Sequence, residues 1–282
     1  MPNKRRIALL TILLAACCLA GGGALAQPAA GRHDELVFGV YPLLSPSQTV
    51  AQFAPLRDHL IRSLGRPVTL RSAPDFASFI ERTRAGEYDI IFTAPHMGRL
   101  AEKRDGYQRV AQTGQVTVVA LARRNGPIRT LADLKGRTLA VGARLSMTYQ
   151  LVDHALGRHG LAIERDVKFV HAAGFSNVIE AIMRGEADAG ATITQLWDGA
   201  SSEQREHLRE IYRAEPAPGF LILAHARLAP GILGKLERAL VEFKNTTAGK
   251  AYFRKTQQVD FSPLDEATMK RIDPFTAVLE AR

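Results

Sequence analysis

Cysteine is nearly missing from this chain: there are two, Cys17 and Cys18, and both sit in the first twenty residues. Everything beyond them must fold without a disulfide and cannot offer a thiolate nucleophile or a Cys-based metal site. Long apolar runs are missing too. No stretch after the first 26 residues holds 18 consecutive apolar residues, so no transmembrane helix is expected there. The formal net charge is +9, yet no block of Lys and Arg is interleaved with aromatics. The charge reads as a solvated surface, and no nucleic-acid partner is expected. Tryptophan occurs once, as Trp197, with packing in the core or stacking on a ligand both open for it. There is no Gly-x-Ser-x-Gly elbow, no P-loop and no His-Glu-x-x-His. His154 and His159 are five apart and fall on different faces of a helix, which argues against a metal pair. No catalytic residue, metal or cofactor is therefore expected, and the chain is read as a non-enzyme.

What is present starts with an address. Asn3-Lys4-Arg5-Arg6 is a basic opening, Ile7 to Ala16 an apolar run, and Ala24-Leu25-Ala26 a small–x–small site. Together they read as a secretory signal peptide over residues 1–26, too short to anchor in a bilayer. Leu14-Ala15-Ala16-Cys17 also resembles a lipobox, so a soluble mature form and a form lipid-anchored at Cys17 both stay open. Either way the protein is expected in the periplasm. Residues 27–34 read as a linker.

The remainder has a globular balance, with 46% hydrophobic and 23% charged residues over the whole chain. Residues 36–40 read as a strand, 49–64 as a helix, 67–70 as a strand, and 88–92 as a third strand after a helix opened by Pro74-Asp75. Val50, Phe53, Leu56, Leu60 and Ile61 are expected on the inner face of the first helix. Such alternation predicts a parallel sheet covered by helices on both faces. Residues 115–122 form a long apolar run. The same grammar then restarts: strand 138–141, helix 146–159, strand 167–170, helix 176–184, strand 187–191. Residues 220–224 read as a strand returning to the first lobe, and the tail as three helices. The expected fold is α/β, with two Rossmann-like lobes joined by a two-segment hinge. Lobe 1 covers 35–120 and 217–282, and lobe 2 covers 121–216. Ligands bind at the carboxyl ends of strands in such sheets.

The strand–turn–helix at 137–160 draws most attention. Ser146 and Thr148 stand at a helix start, where their hydroxyls cap orphan N–H groups and the helix dipole favours an anion. An ordinary capped αβ unit explains the stretch equally well.

Four segments in order then resemble a known family. They are FAPLRDHLIRSLGRPVTL, APDFASFIERTRAGEYDIIFTAP, PIRTLADLKGRTLAVG and GFSNVIEAIMRGEADAGA. The chain resembles the periplasmic phosphate/phosphite/phosphonate-binding proteins (the PhnD-like group) of ABC transporters, within the type 2 periplasmic-binding fold. The resemblance spans about residues 36–275. It implies a monomeric solute-binding protein that closes like a flytrap on a small, anionic molecule and delivers it to an ABC permease in the inner membrane.

It further implies a ligand site at Ser146, Met147 and Thr148, with Phe76 and Phe175 as cleft walls. The family's polar groups are replaced at three of these positions, by Met147, Phe76 and Phe175. The expectation is therefore weak phosphonate binding and a better fit for a carboxylate or an organosulfur anion. Arg144 is expected as a charge clamp, and Thr93, His96 and Tyr41 as further cleft contacts. Two other readings remain: a ligand-presenting partner of a membrane sensor kinase, and an exported enzyme.

Overall fold

The computed structural model describes residues 35–280, so the signal peptide, the linker and the lipobox lie outside the described residues. Two five-stranded sheets carry the fold. The first contains β1 (Leu36–Val40), β2 (Val68–Arg71), β3 (Ile90–Thr93) and β4 (Tyr107–Gln112), in the order β2-β1-β3-x-β4. The strand at x comes from far along the chain. Helices α1 (Pro46–Leu64), α2 (Phe76–Arg84) and α3 (Pro95–Arg104) connect these strands. β1 runs parallel to both β2 and β3.

The chain leaves this sheet through β5 (Gln115–Val116) and enters β6 (Val118–Arg123). β7 (Thr138–Val141), α4 (Met147–Gly157), β8 (Lys168–His171), α5 (Phe175–Arg184), β9 (Ala189–Ile193), α6 (Thr194–Asp198), α7 (Ser202–His207) and β10 (Leu208–Arg213) follow. The second sheet has the order β10-β6-β9-β7-β8. β11 (Ala217–Pro218) then pairs with β5, and β12 (Leu221–His225) inserts between β3 and β4 of the first sheet. Each sheet's fourth position is thus filled by the strand that the chain enters on crossing over. The tail packs as α8 (Pro230–Phe243), α9 (Thr247–Thr256), α10 (Glu266–Lys270) and α11 (Ala277–Glu280).

The long apolar run at 115–122 is two strands, not one. Gln115 and Val116 pair with Pro218 and Ala217 in the crossing ribbon, whereas Val118 already pairs with Ile193 in the second sheet. The crossing therefore falls a few residues before position 120.

Burial explains why the helices stay where they are. Phe38, Leu56, Leu60 and Phe243 are fully buried between the first sheet and α1, α8 and α9. Each such side chain contributes about 1.5–3 kcal/mol. The other face of the first sheet packs Phe79, Tyr88, Met97 and Leu100 under α2 and α3. In the second half, Leu139, Val141, Val152 and Leu156 form the main core. Two glycines permit close approaches here. A Cβ on Gly98 would stand 2.9 Å from Leu223 Cδ1, so α3 lies flat on β12 only because that position is bare. A Cβ on Gly39 would meet the Tyr88 ring at 2.5 Å.

Val50 departs from its expected inward place and is exposed. The helix begins at Pro46, with Ser45 as N-cap in a capping box with Gln48, and its buried face is set by Thr49, Phe53, Leu56 and Leu60.

Candidate functional site

The starts of two helices, one from each half, come together. α3 follows β3 directly. Its N-cap is Ala94, which has no side chain to offer, and Pro95 occupies the first turn. The N–H groups of His96 and Met97 consequently reach no acceptor among the described residues. α4 follows β7 through the turn at residues 142–145. Its N-cap is Ser146, whose Oγ accepts from the N–H of Tyr149 at 3.2 Å. The Ser146 carbonyl accepts from Gln150, while the N–H groups of Met147 and Thr148 stay unbonded. Thr148 is 4% exposed, and its hydroxyl forms no hydrogen bond with the described residues. Each helix start therefore presents two free donors, concentrated where the helix dipole is positive.

His96 ties the two starts to each other. Its Nε2 lies 3.0 Å from the carbonyl oxygen of Leu145, the residue before the α4 N-cap. A carbonyl only accepts, so Nε2 donates and carries the ring's hydrogen. The imidazole is fully buried and its Nδ1 has no partner. Burial pushes its pKa down to about 4 against the opposing pull of the Leu145 carbonyl, so the ring is neutral near pH 7. Leu145 itself belongs to the second half but packs in the apolar cluster of Tyr41, Ala94 and Met97, with Phe76 against it.

Aromatic side chains wall the same region. Tyr41, directly after β1, stacks on Phe76 with ring centroids 4.5 Å apart and an interplanar angle of 15°. Phe220, at the entry to β12, lies 6.1 Å from Tyr41 and 4.9 Å from Phe92. A cavity of about 70 Å³ opens from Tyr41 and Phe220 towards α1, bounded by Leu44, Phe53, Phe92 and Gln258 as well. Burial holds the Tyr41 phenol far above its ordinary range, so it is un-ionised.

The residues expected from sequence divide accordingly. Ser146, Met147, Thr148, His96, Tyr41 and Phe76 converge on the junction of the two helix starts. Arg144 turns away: it is 57% exposed, bonds Glu164 through Nε at 2.6 Å and covers the Phe169 ring at 5.0 Å. Thr93 points under α3, into a space of about 10 Å³ among Phe79, Ile80 and Leu100, where its hydroxyl is unpaired. β3 alternates: Ile91 and Thr93 face α2 and α3, and Ile90 and Phe92 face α1. Phe175 opens α5, half-buried, and belongs to none of the apolar clusters among the described residues. Trp197 packs with Val119, Leu121 and Ile182 under the second sheet, and Arg205 covers its ring. Sequence reasoning missed Leu145 and Phe220. An apolar residue in an otherwise polar turn, and an aromatic at the return crossing, were the available signals.

Two α/β halves, a short two-stranded crossing and helix starts meeting at the strand ends define a type 2 periplasmic binding protein. Solved structures agree on the fold. XAC2383 from Xanthomonas citri bound to chloride ion superposes with a TM-score of 0.75 at 21% identity, covering 88% of this chain and 98% of that one. PhnD1 from Prochlorococcus marinus in complex with methylphosphonate gives 0.74 at 16% identity, covering 88% and 99%. The alkanesulfonate-binding protein SsuA from Xanthomonas axonopodis pv. citri bound to MOPS gives 0.55 at 18%, covering 88% and 93%. Residues 38–269 match the model of the ABC transporter, phosphonate, periplasmic substrate-binding protein family, and the chain belongs to that family. It is a substrate-binding protein of ABC transporters, a transport family and not an enzyme family.

Proposed function

We propose that the chain captures a small anionic solute at the junction of the α3 and α4 starts and delivers it, as a monomer, to a permease in the inner membrane. The first sheet with its helices forms one jaw and the second sheet with its helices the other, with the ribbon of β5 and β11 as hinge. The leader at residues 1–26 exports the protein, which works in the periplasm either free or held by a lipid on Cys17.

The observation that carries this reading is the hydrogen bond from His96 to the Leu145 carbonyl. It ties the α3 start to the residue before the α4 N-cap, and each of those starts leaves two backbone N–H groups unbonded among the described residues. Charge-assisted hydrogen bonds of this type contribute about 1.5–3 kcal/mol each. The helix dipoles add up to about 2 kcal/mol apiece in partly buried sites. No cationic side chain is required, which matches the commitment of Arg144 to Glu164. Tyr41, Phe76 and Phe220 offer apolar surface to the body of the solute.

A panel of phosphonates, phosphate, sulfonates, sulfate and carboxylates is titrated into the full-length mature protein, with heat of binding and melting temperature as readouts. Binding of at least one anion is expected, and Ser146→Ala combined with Thr148→Val weakens it tenfold or more. Binding of neutral or cationic solutes alone would overturn the reading.

A further inference from the structure

We propose that residues 262–280 form a latch: fixed to the first half of the molecule, this segment grips α4 of the second through Phe275 and biases the two halves towards the shut arrangement, with or without solute. The inference goes beyond solute capture and rests on the reading of the halves as jaws. The fixed side is strong. Ser262 and Gln112 of β4 exchange backbone hydrogen bonds of 2.9 and 2.8 Å, and the Gln112 side-chain amide donates to the Pro263 carbonyl at 3.1 Å. Arg99 of α3, itself 7% exposed, donates to Asp273 at 2.7 Å and to Glu266 at 3.0 Å. Arg109 of β4 pairs with Glu266 as well. Met269, Ile272 and Leu279 are buried in the apolar cluster that also holds Phe79, Met97 and Leu100.

The gripping side is slight. Asp273–Phe275 is a 3-10 turn that touches both α3 and α4. Its shape is set locally. Pro274 presets φ in the turn, the Phe275 N–H donates to the Ile272 carbonyl at 2.9 Å, and the Thr276 hydroxyl donates to the Asp273 carbonyl at 2.9 Å. From this turn the half-buried Phe275 ring meets the His154 ring of α4 edge to face, with centroids 5.3 Å apart and an interplanar angle of 76°. His154 is exposed, and its side chain makes no hydrogen bond among the described residues, so the ring contact is what engages it. The first half thus holds the segment by ion pairs, backbone bonds and buried apolar side chains, and α4 holds it by a ring pair. When the jaws part, the segment stays with the first half and the His154–Phe275 contact is the one that breaks. An edge-to-face pair shifts an equilibrium by about two- to tenfold. That biases the jaws without locking them. The crossing at β5 and β11 ties the halves covalently; the latch adds a third tie, which can let go.

Residues 27–282 contain no cysteine, so a single introduced thiol in the full-length mature protein reports opening by its rate of alkylation. Leu145→Cys places that thiol in the cluster shared with the first half, where it is covered while the jaws are shut. Leu139→Cys, inside the second core, reports unfolding instead. With no solute added, the Leu145→Cys thiol is expected to react faster than the Leu139→Cys thiol, because opening is cheaper than unfolding. Adding Phe275→Ala to Leu145→Cys speeds it a further two- to tenfold, about the worth of the ring pair. His154→Ala does the same, and the two together do no more than either alone, since both remove one contact. The Leu139→Cys rate stays as it was in each. An unchanged Leu145→Cys rate in His154→Ala overturns the latch alone, as do additive effects of the two replacements. Equal acceleration of both thiols by Phe275→Ala overturns it too, since Phe275 is then ordinary core. If the two thiols already react at one rate without either replacement, the jaws beneath the latch do not open, and that reading falls instead.

Discussion

Replacing Leu145 with Ala separates closing from folding. Leu145 is 7% exposed, yet its neighbours Tyr41, Ala94 and Met97 belong to the other half of the molecule. Truncation removes three carbons from that contact, about 2 kcal/mol at roughly 0.8 kcal/mol per carbon. That loss falls on the closed arrangement and not on either core. The expected result is an anion affinity lower by about thirtyfold, a larger radius of gyration by small-angle scattering, and a melting temperature little changed without ligand. Leu139→Ala is the control. Leu139 is fully buried within the second core, and its truncation costs about 2–5 kcal/mol of stability. If Leu145→Ala lowers the melting temperature as much as Leu139→Ala and leaves affinity intact, Leu145 is ordinary core and the closing argument fails.

Arg144→Ala leaves anion affinity within about twofold, because its exposed pair with Glu164 contributes about 0–1 kcal/mol and reaches no donor cluster; calorimetry checks this, and a tenfold loss would restore Arg144 as a clamp. Gly98→Val forces a side chain against Leu223 and Leu221 and costs about 1–3 kcal/mol, read as a lower midpoint in urea. His96 gives a pH signature of definite sign. Its folded pKa is depressed to about 4 from 6.5, so the unfolded chain takes the proton first. The stabilisation is complete above pH 6.5, declines as pH falls towards 4, and amounts to at most about 3 kcal/mol. Urea midpoints at pH 7 and pH 4.5 should differ less in His96→Phe than in the parent.

Continuous apolar runs made the inner strands readable. Leu36–Val40, Thr138–Val141 and Leu221–His225 are buried on both faces and nearly free of polar residues. Tyr107–Gln112 and Leu208–Arg213 were missed because they lie at sheet edges and each carries three polar residues in six, so neither shows a continuous apolar run. The last tail helix was read as one piece, but Pro274 stands in a 3-10 turn that splits it. At the α4 start, capping chemistry announced Ser146, since a helix start is a local property; Thr148 was expected to cap too, but its hydroxyl bonds nothing among the described residues. Arg144 and Thr93 were not local questions. The first depended on Glu164, twenty residues on, and the second on which face of β3 an odd-numbered residue takes.

The placement of β12 has a consequence for biogenesis. β3 and β4 are joined only through it, and it is made more than a hundred residues after they are. Until residue 225 leaves the ribosome the first sheet has a gap in its middle, and α8 and α9 are not there to cover Phe38 and Leu56. A nascent chain of this design cannot complete its first sheet until β12 has been made.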